Sequence, residues 1–385
     1  MEEITIKKLG PIKDIRISLG DLTILTGVQA SGKSLFLQML KLLIDKNHIA
    51  KTLNQYNYVL TKNPQNILNV YLGEGMADIW TDETIVIADG KPYKKDFLLS
   101  AFAKAKEEKL FYIPAQRILS IADGRPKNFM EFDLATPYVL RFFSETLRLF
   151  FQNGMGEEHT LFPVSYRLKS TLRKSFNKNI FHDGEIVIDE RSGQKKMRMK
   201  IGNMSLPFMT WSAGQKEFMP LLMAFYCLSG PKQRIVNREQ YEYIVIEEPE
   251  MGLHPQAIQA VILQIIEFLQ MGYKVIVSTH SPVLLEFVWA YNLLKEIPKT
   301  VRKNALYELF NISKQQTTRT FFDTIFDKSI KTYYFSRKDS GVTSVDISNL
   351  DVYSENVDIS EWGGLSQFST KTSEVISKYI AEYGE

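Results

Sequence analysis

The chain has 385 residues, 44% hydrophobic and 24% charged, with a net charge of +3. That is ordinary globular composition with room for two or three compact units, and it excludes a disordered or fibrous chain. So small a net charge makes no overall case for nucleic acid, which would need a local patch. The single cysteine, Cys227, excludes an intrachain disulfide and fits a reducing cytoplasm.

The start, Met1-Glu-Glu-Ile-Thr-Ile, reads as neither signal nor transit peptide. The longest apolar stretch, about 219–228, is too short for a bilayer, so no membrane contact is expected. Residues 4–6 and 15–19 read as strands around a Gly10-Pro11 turn. Leu22–Thr26 has the length and make-up of a buried strand. It runs into Gly27-Val-Gln-Ala-Ser-Gly-Lys-Ser34, and a helical pattern follows through Leu35, Phe36, Met39, Leu40 and Leu43. Strand, glycine loop and helix is the context a phosphate-binding loop requires. The loop's backbone N–H groups, from Gly27 through Gln29, Ala30, Ser31 and Gly32 to Lys33, Ser34 and Leu35, form an anion cradle at a helix N-terminus. Lys33 can reach the β- and γ-phosphates, and the Ser34 hydroxyl can bind Mg²⁺.

Residues 50–65 read as a polar loop or surface helix, and 66–90 as short strands with an Asp89-Gly90 hairpin turn. Lys104–Lys109 reads as a solvated helix end. Leu110–Ile113 is a second buried-type strand, leading through Pro114-Ala to Gln116. Thr136–Gln152 is an aromatic-rich amphipathic helix suited to a core or an interface. Residues 184–201 read as a hairpin around Ser192-Gly193, with Lys196, Arg198 and Lys200 on one face. That face either meets phosphate backbone or is simply solvated. Ser212-Ala-Gly214-Gln215 opens an apolar helix to Leu228, in which Cys227 is a packing residue. The strand Tyr243–Ile246 ends in Glu247-Glu248-Pro-Glu250. A helix over 257–270 leads to the strand Lys274–Ser278 and His280. A helix to about residue 294, a polar stretch, strands at 332–336 and 342–347 and a helix near 373–383 complete the chain.

Near-continuous Val/Ile/Leu runs alternating with helices predict an α/β fold with a mostly parallel sheet covered on both faces. Ligands bind outside the carboxyl ends of such strands, so Gly27, Gln116, Glu247-Glu248 and His280 should share one rim. Phosphoryl transfer needs positioning, charge neutralisation and an oriented water. Glu247 is suited to hold Mg²⁺ through its waters, Glu248 to polarise the attacking water, Gln116 to sit between them, and His280 to touch the γ-phosphate. Two carboxylates ending an apolar strand are costly without a compensating ion. Ser212–Gln215 is a second anion-binding helix start. A self-contained site does not need two, so this one is expected to cap the nucleotide of another subunit.

With these motifs in this order, the chain resembles the ABC-type ATPase heads, which are P-loop NTPases. Gly27–Ser34 is similar to their Walker A motif, Gln116 to the Q-loop, Ser212–Gln215 to the signature, Tyr243–Glu248 to Walker B, Met251–Pro255 to the D-loop and His280 to the switch histidine. Ile113-Pro-Ala-Gln-Arg117, Glu247-Glu-Pro-Glu250 with Leu253-His-Pro255, and Ser278-Thr-His-Ser-Pro282 resemble the SMC/OLD-like AAA family ATPases. These include stand-alone ATPase components of bacterial anti-phage defence systems, the PARIS type among them.

The resemblance implies ATP and Mg²⁺ as cofactors, Lys33, Glu248 and His280 as catalytic, and Ser34, Gln116 and Glu247 at the metal. It implies a homo-oligomer, a head-to-tail dimer or higher, in which Ser212, Gly214 and Gln215 serve the opposite site. The organisation it suggests is a P-loop lobe with an antiparallel β subdomain (1–116), an inserted helical and hairpin arm (117–205), a lobe with signature, Walker B and switch histidine (206–300), and C-terminal strands and helix (301–385). The implied role is a sensor or scaffold controlling a separately encoded effector, such as a nuclease, with DNA or a phage protein as trigger. The alternatives are a DNA-clamping ATPase of the SMC or recombination type and a transporter subunit, which the long separation of Ser34 from Ser212 disfavours. Glu247 stands where many relatives have Asp, which should slow turnover, and Ala213 where many have Gly. No nuclease centre, long heptad run or second cassette is legible.

Overall fold

Strands form where apolar and β-branched residues run together. β1 (Glu3–Leu9) and β2 (Ile12–Ser18) make a hairpin, and β3 (Leu22–Gly27) follows with every residue buried. Two helices, α1 (Lys33–Gln55) and α2 (Pro64–Leu72), precede the hairpin of β4 (Trp80–Ala88) and β5 (Lys91–Tyr93), which turns at Asp89-Gly90. The fully buried β6 (Leu110–Ile113) leads to a short ribbon, β7 (Ile121–Ala122) with β8 (Arg125–Pro126). Next come α3 (Tyr138–Leu149), β9 (Thr160–Phe162), α4 (Ser170–Phe176), β10 (Glu185–Asp189), β11 (Lys196–Ile201) and β12 (Met204–Pro207). The alternating part follows: α5 (Ala213–Ser229), β13 (Tyr243–Glu247), α6 (Pro255–Gln270), β14 (Lys274–Ser278), α7 (Pro282–Lys295) and α8 (Lys299–Leu309). The hairpin of β15 (Ile330–Lys338) and β16 (Gly341–Asp346) precedes α9 (Val357–Ser360) and α10 (Gln367–Tyr383). This computed structural model describes residues 1–61, 63–99, 107–154, 159–190, 193–231, 236–315 and 318–383.

One ten-stranded sheet runs β5-β4-β1-β2-β16-β15-β3-β14-β13-β6. From β15 to β6 every pairing is parallel, and from β5 to β2 every pairing is antiparallel. The C-terminal hairpin joins the two halves, β15 beside β3 from Ile330↔Leu22 to Phe335↔Gly27 and β16 beside β2. Side chains alternate across the strands. Ile244, Ile246, Val275 and Val277 enter one core with residues of α3, α5, α6 and α7. Tyr243, Val245 and Ile276 enter the other, with residues of α1 and α2. Both faces are covered, which is why these strands read as unbroken apolar runs. The sheet β12-β11-β10-β9 contributes Phe162, Ile186 and Met197 to the first core, beside Phe143 of α3 and Phe225 of α5. Cys227 is buried there too. No helix among the described residues is long and apolar enough to cross a membrane.

Three local expectations fail. Residues 66–72 are helical, not strands: the Asn63 side chain accepts the Gln65 N–H at 3.0 Å, Pro64 opens the helix, and Ile67, Leu68 and Tyr71 are buried at helical spacing. The polar stretch after residue 295 contains α8, which buries Leu306 and Tyr307. Lys104 and Lys106 lie outside the described residues, but Glu108 is buried rather than solvated. Ser192 of the expected turn also lies outside them, whereas β10 and β11 pair as expected. On that hairpin Lys196 is paired with Asp123, and Arg198 donates to Ser205 Oγ at 2.8 Å beside Asp189; Lys200 is exposed.

Glu108 belongs to a buried ionic cluster that ties the loop's helix to the sheet. Lys41 of α1 donates to Asp45 at 2.8 Å, to Glu108 and to the Leu110 carbonyl at 2.6 Å. The helix kinks at Asp45, whose carboxylate accepts the Lys109 and Leu110 N–H groups at 2.8 and 3.0 Å, and the Tyr241 hydroxyl donates to Glu108 at 2.9 Å. Burial alone would lower the Lys41 ammonium, but Asp45 and Glu108 outweigh it and raise it above its usual value. Removing one partner leaves the others as uncompensated buried charge. Lys41→Met should therefore lower the unfolding free energy by about 3–5 kcal/mol in urea titration, and a loss within the error of that titration would contradict the cluster's role.

Candidate functional site

The glycine loop is shaped by its neighbours. Gly27 has φ +151°, and a Cβ there would lie 2.8 Å from the Phe335 carbonyl of β15, so only glycine fits beside that strand. Gly32 caps α1 with φ +84°. Residues 28–30 are exposed, as is Ser34, while Ser31, Lys33 and Leu35 are buried. Lys33 folds back over the loop, donating to the Gly27 carbonyl at 2.8 Å and the Val28 carbonyl at 3.1 Å. Burial pushes its ammonium down to about 8 against the pull of Glu248, Glu250 and Glu247. An incoming anion would restore the charge that burial disfavours.

Parallel register brings the other strand ends to this loop. Glu247 pairs with Ser278, Ser278 with Leu25, and Ile246 with Ile113, so β13, β14, β3 and β6 end together. Glu247 is buried, and burial raises its carboxyl above the usual range. Its Oε2 accepts the Ala115 N–H at 3.2 Å, the Ser34 and Tyr112 hydroxyls lie against the carboxylate, and Oε1 has no hydrogen-bond partner. A buried carboxylate oxygen without a donor, beside a serine hydroxyl, suits a hard dication. Ser34 and Glu247 therefore fit the metal expected here.

Glu248 adopts φ +42°, rare for a non-glycine residue, and its N–H donates to the Ser278 carbonyl at 2.8 Å. His280 Nε2 lies 3.6 Å from Glu248 Oε1. Burial and then Lys33 hold this imidazole below its usual value, opposed by Glu248. Gln116 follows Ala115 at the same strand end, but its side chain is exposed and makes no hydrogen bond among the described residues.

The signature-like turn stands apart. Ser212 Oγ accepts the Gln215 N–H at 3.3 Å while Gln215 Oε1 accepts the Ser212 N–H at 3.1 Å, a reciprocal cap on α5. Gln215 Nε2 also donates to the Ile180 carbonyl at 3.1 Å. A Cβ on Gly214 would meet the Gly252 carbonyl at 2.5 Å, so this helix start touches the turn that follows Glu248. Among the described residues no hydrogen bond or ion pair joins 212–215 to 27–35.

Three residues at the site received no role from the sequence. Arg117, fully buried, donates to the carbonyls of Glu217, Glu247 and Glu248 at 3.1, 3.1 and 3.2 Å. Glu250 Oε1 accepts the Thr279 hydroxyl at 2.8 Å and the His280 N–H at 2.6 Å. Arg337 of β15 donates to the Ala30 carbonyl at 3.2 Å. The first two stand inside the family-like motifs quoted above. Nothing in the sequence links residue 337 to the loop.

Residues 141–286 match the family model described as "AAA domain, putative AbiEii toxin, Type IV TA system". That span holds the signature-like turn, Glu247, Glu248 and His280, and the glycine loop precedes it. Together with the motifs, this makes the chain similar to the P-loop ATPase heads of the SMC/OLD-like ABC type. A curated relative, the Old nuclease of Escherichia phage P2, is 27% identical over 115 residues, 28% of this chain. The match spans only 20% of that relative's length. Among solved structures, the SMC head domain of Thermotoga maritima matches with TM-score 0.39 and 10% identity over 90% of this chain and 98% of its own. A dimeric bacterial ABC transporter cassette matches with TM-score 0.34 and 14% identity over 74% and 90%.

Arg117 clasps the Glu247–Glu248 backbone to α5. Arg117→Met should cost about 2–4 kcal/mol of stability in urea unfolding, from loss of these buried charge-assisted hydrogen bonds. An unchanged midpoint would show that the clasp is dispensable.

Proposed function

We propose that the head binds ATP with Mg²⁺ at sites shared head-to-tail between two or more copies, hydrolyses it slowly, and thereby acts as a sensor or scaffold controlling a separately encoded effector in anti-phage defence. One observation carries the chemical part. The glycine loop, the Glu247–Glu248 strand end and His280 meet on one rim, while among the described residues the capped Ser212 turn makes no hydrogen bond to the glycine loop. The backbone N–H groups from Gly27 to Leu35 would hold the phosphates, with Lys33 turning from its carbonyls onto the β- and γ-oxygens. Ser34 and Glu247, and Gln116 once its exposed side chain turns inward, would hold Mg²⁺, which supplies charge neutralisation at those oxygens when bound. Glu248 orients and polarises the attacking water, and His280 donates towards the γ-phosphate. The half-site of Ser212, Gly214 and Gln215 would close over the triphosphate of a neighbouring copy.

The biological part rests on the family description, which names toxin–antitoxin systems, and on the phage-encoded relative. An effector such as a nuclease and a DNA or phage-protein trigger belong to this reading. The SMC-like alternative, DNA clamping, would draw on the β10–β11 cations, of which Lys196 and Arg198 already hold partners within the chain. Co-purification from the native host separates the two: an effector protein supports control, and DNA alone supports clamping.

Lys33→Ala should weaken ATP binding at least about tenfold through loss of a charge-assisted contact; unchanged affinity in calorimetry would count against the site. Glu248→Gln should bind ATP, turn over poorly and accumulate closed oligomers, and a monomer with and without ATP in light scattering would exclude shared sites. The pH dependence follows from Lys33. Its folded-state value, about 8, lies below the unfolded one, so as pH rises past 8 the free protein has already lost the proton that phosphate binding needs. ATP affinity should then fall by up to about tenfold per pH unit above 8, and the Lys33→Ala chain should lack that slope.

A further inference from the structure

A second concave site lies away from the glycine loop. A cavity of about 320 Å³ opens between α4 with its continuation through residue 181, α6, and the segment after α8. Lys174 and Lys178, four residues apart, face it from one wall, and Gln256 and Gln259 of α6 from the other. Leu263 and Phe310 supply an apolar floor. Serine, threonine and asparagine side chains with Ile312 and Gln315 complete the lining, and no aspartate or glutamate is part of it. Neither lysine has an ion pair among the described residues, whereas Lys169, at the edge of the same helix, is paired with Glu267.

We propose that this cavity binds a small phosphate-bearing ligand. Lys174 and Lys178 are exposed one turn apart on the same helix face, where like charges repel weakly, and a multivalent anion bound between them would turn that repulsion into attraction. The carboxamides supply donors to phosphate oxygens and can also accept from a polar ligand's own N–H or O–H groups. A cation is excluded by the lack of any carboxylate, and a wholly apolar ligand by the polar walls. A continuous nucleic-acid backbone fits poorly, because it needs an open basic stripe rather than a bounded hollow. Gln256 stands in the first turn of α6, where its N–H donates to His254 Nδ1 at 3.3 Å. The ligand would therefore touch the helix that begins right after the Glu248–His254 turn.

The test uses the full chain carrying Lys33→Ala, so that phosphate groups are not held by the loop lysine, with inorganic pyrophosphate as the probe in calorimetry. Saturable binding is expected, weakened about tenfold or more by adding Lys174→Gln and Lys178→Gln, and retained with Lys174→Arg and Lys178→Arg. Gln259→Leu keeps both charges and should weaken binding as well. Circular dichroism confirms that each variant is folded. No saturable binding in the Lys33→Ala chain, or equal affinity after the double glutamine change, would overturn the proposal.

Discussion

Parallel register across β3, β14, β13 and β6 is the constraint on which the rest of the head depends. Leu25, Ser278 and Glu247 lie side by side in the ladder, one step beyond Ile246 and Ile113. Hydrogen bonding therefore brings four chain segments out of the apolar layer at one level. Polar groups that would be unsupportable two residues earlier become available at that edge, where backbone donors and incoming ligands can satisfy them. The antiparallel half contributes by a different route. It holds β2 in place, and β16 and β15 then wedge between β2 and β3, pressing Phe335 against Gly27.

Burial works against charge at this edge. Lys33 and His280 are pushed down, Glu247 and Glu250 up, each mainly because its charged form loses water. Such a set is poised for a ligand that brings both signs, as a triphosphate with a dication does. Behind it stands a less visible layer. Arg117 gathers the carbonyls of Glu217, Glu247 and Glu248, and Glu250 fixes the backbone at His280. Together they support the left-handed turn at Glu248, which by itself costs energy. Positioning of this kind fixes the backbone that carries the Glu248 carboxylate.

The contact of Gly214 with Gly252 joins this edge to the signature-like turn. The Gly252 carbonyl leaves no room for a side chain at residue 214, so displacement of one turn must be felt by the other. In a head-to-tail assembly that contact would couple a copy's own Glu248 turn to the site it completes on its neighbour.

Much of this was legible in the residue order. The loop from Gly27 to Ser34, the acidic strand end and His280 are contiguous motifs whose chemistry depends on local spacing, and the unbroken apolar runs implied a sheet covered on both faces. The helix at residues 64–72 was misread because a short apolar segment carries strand and helix periods equally; the Asn63 cap with Pro64 and the packing of Leu68 and Tyr71 in the core of α1 selected the helix. Glu108 looked solvated because nothing local announces that Lys41, Asp45 and Tyr241 will enclose it. The sequence by itself determined which residues can carry phosphate chemistry, because backbone conformation, charge and side-chain reach are local properties. Tertiary structure alone decided which of them meet, since pairing β15 with β3, clasping Glu247 and Glu248 with Arg117 and emptying a cavity of carboxylates all depend on contacts between segments far apart in the chain.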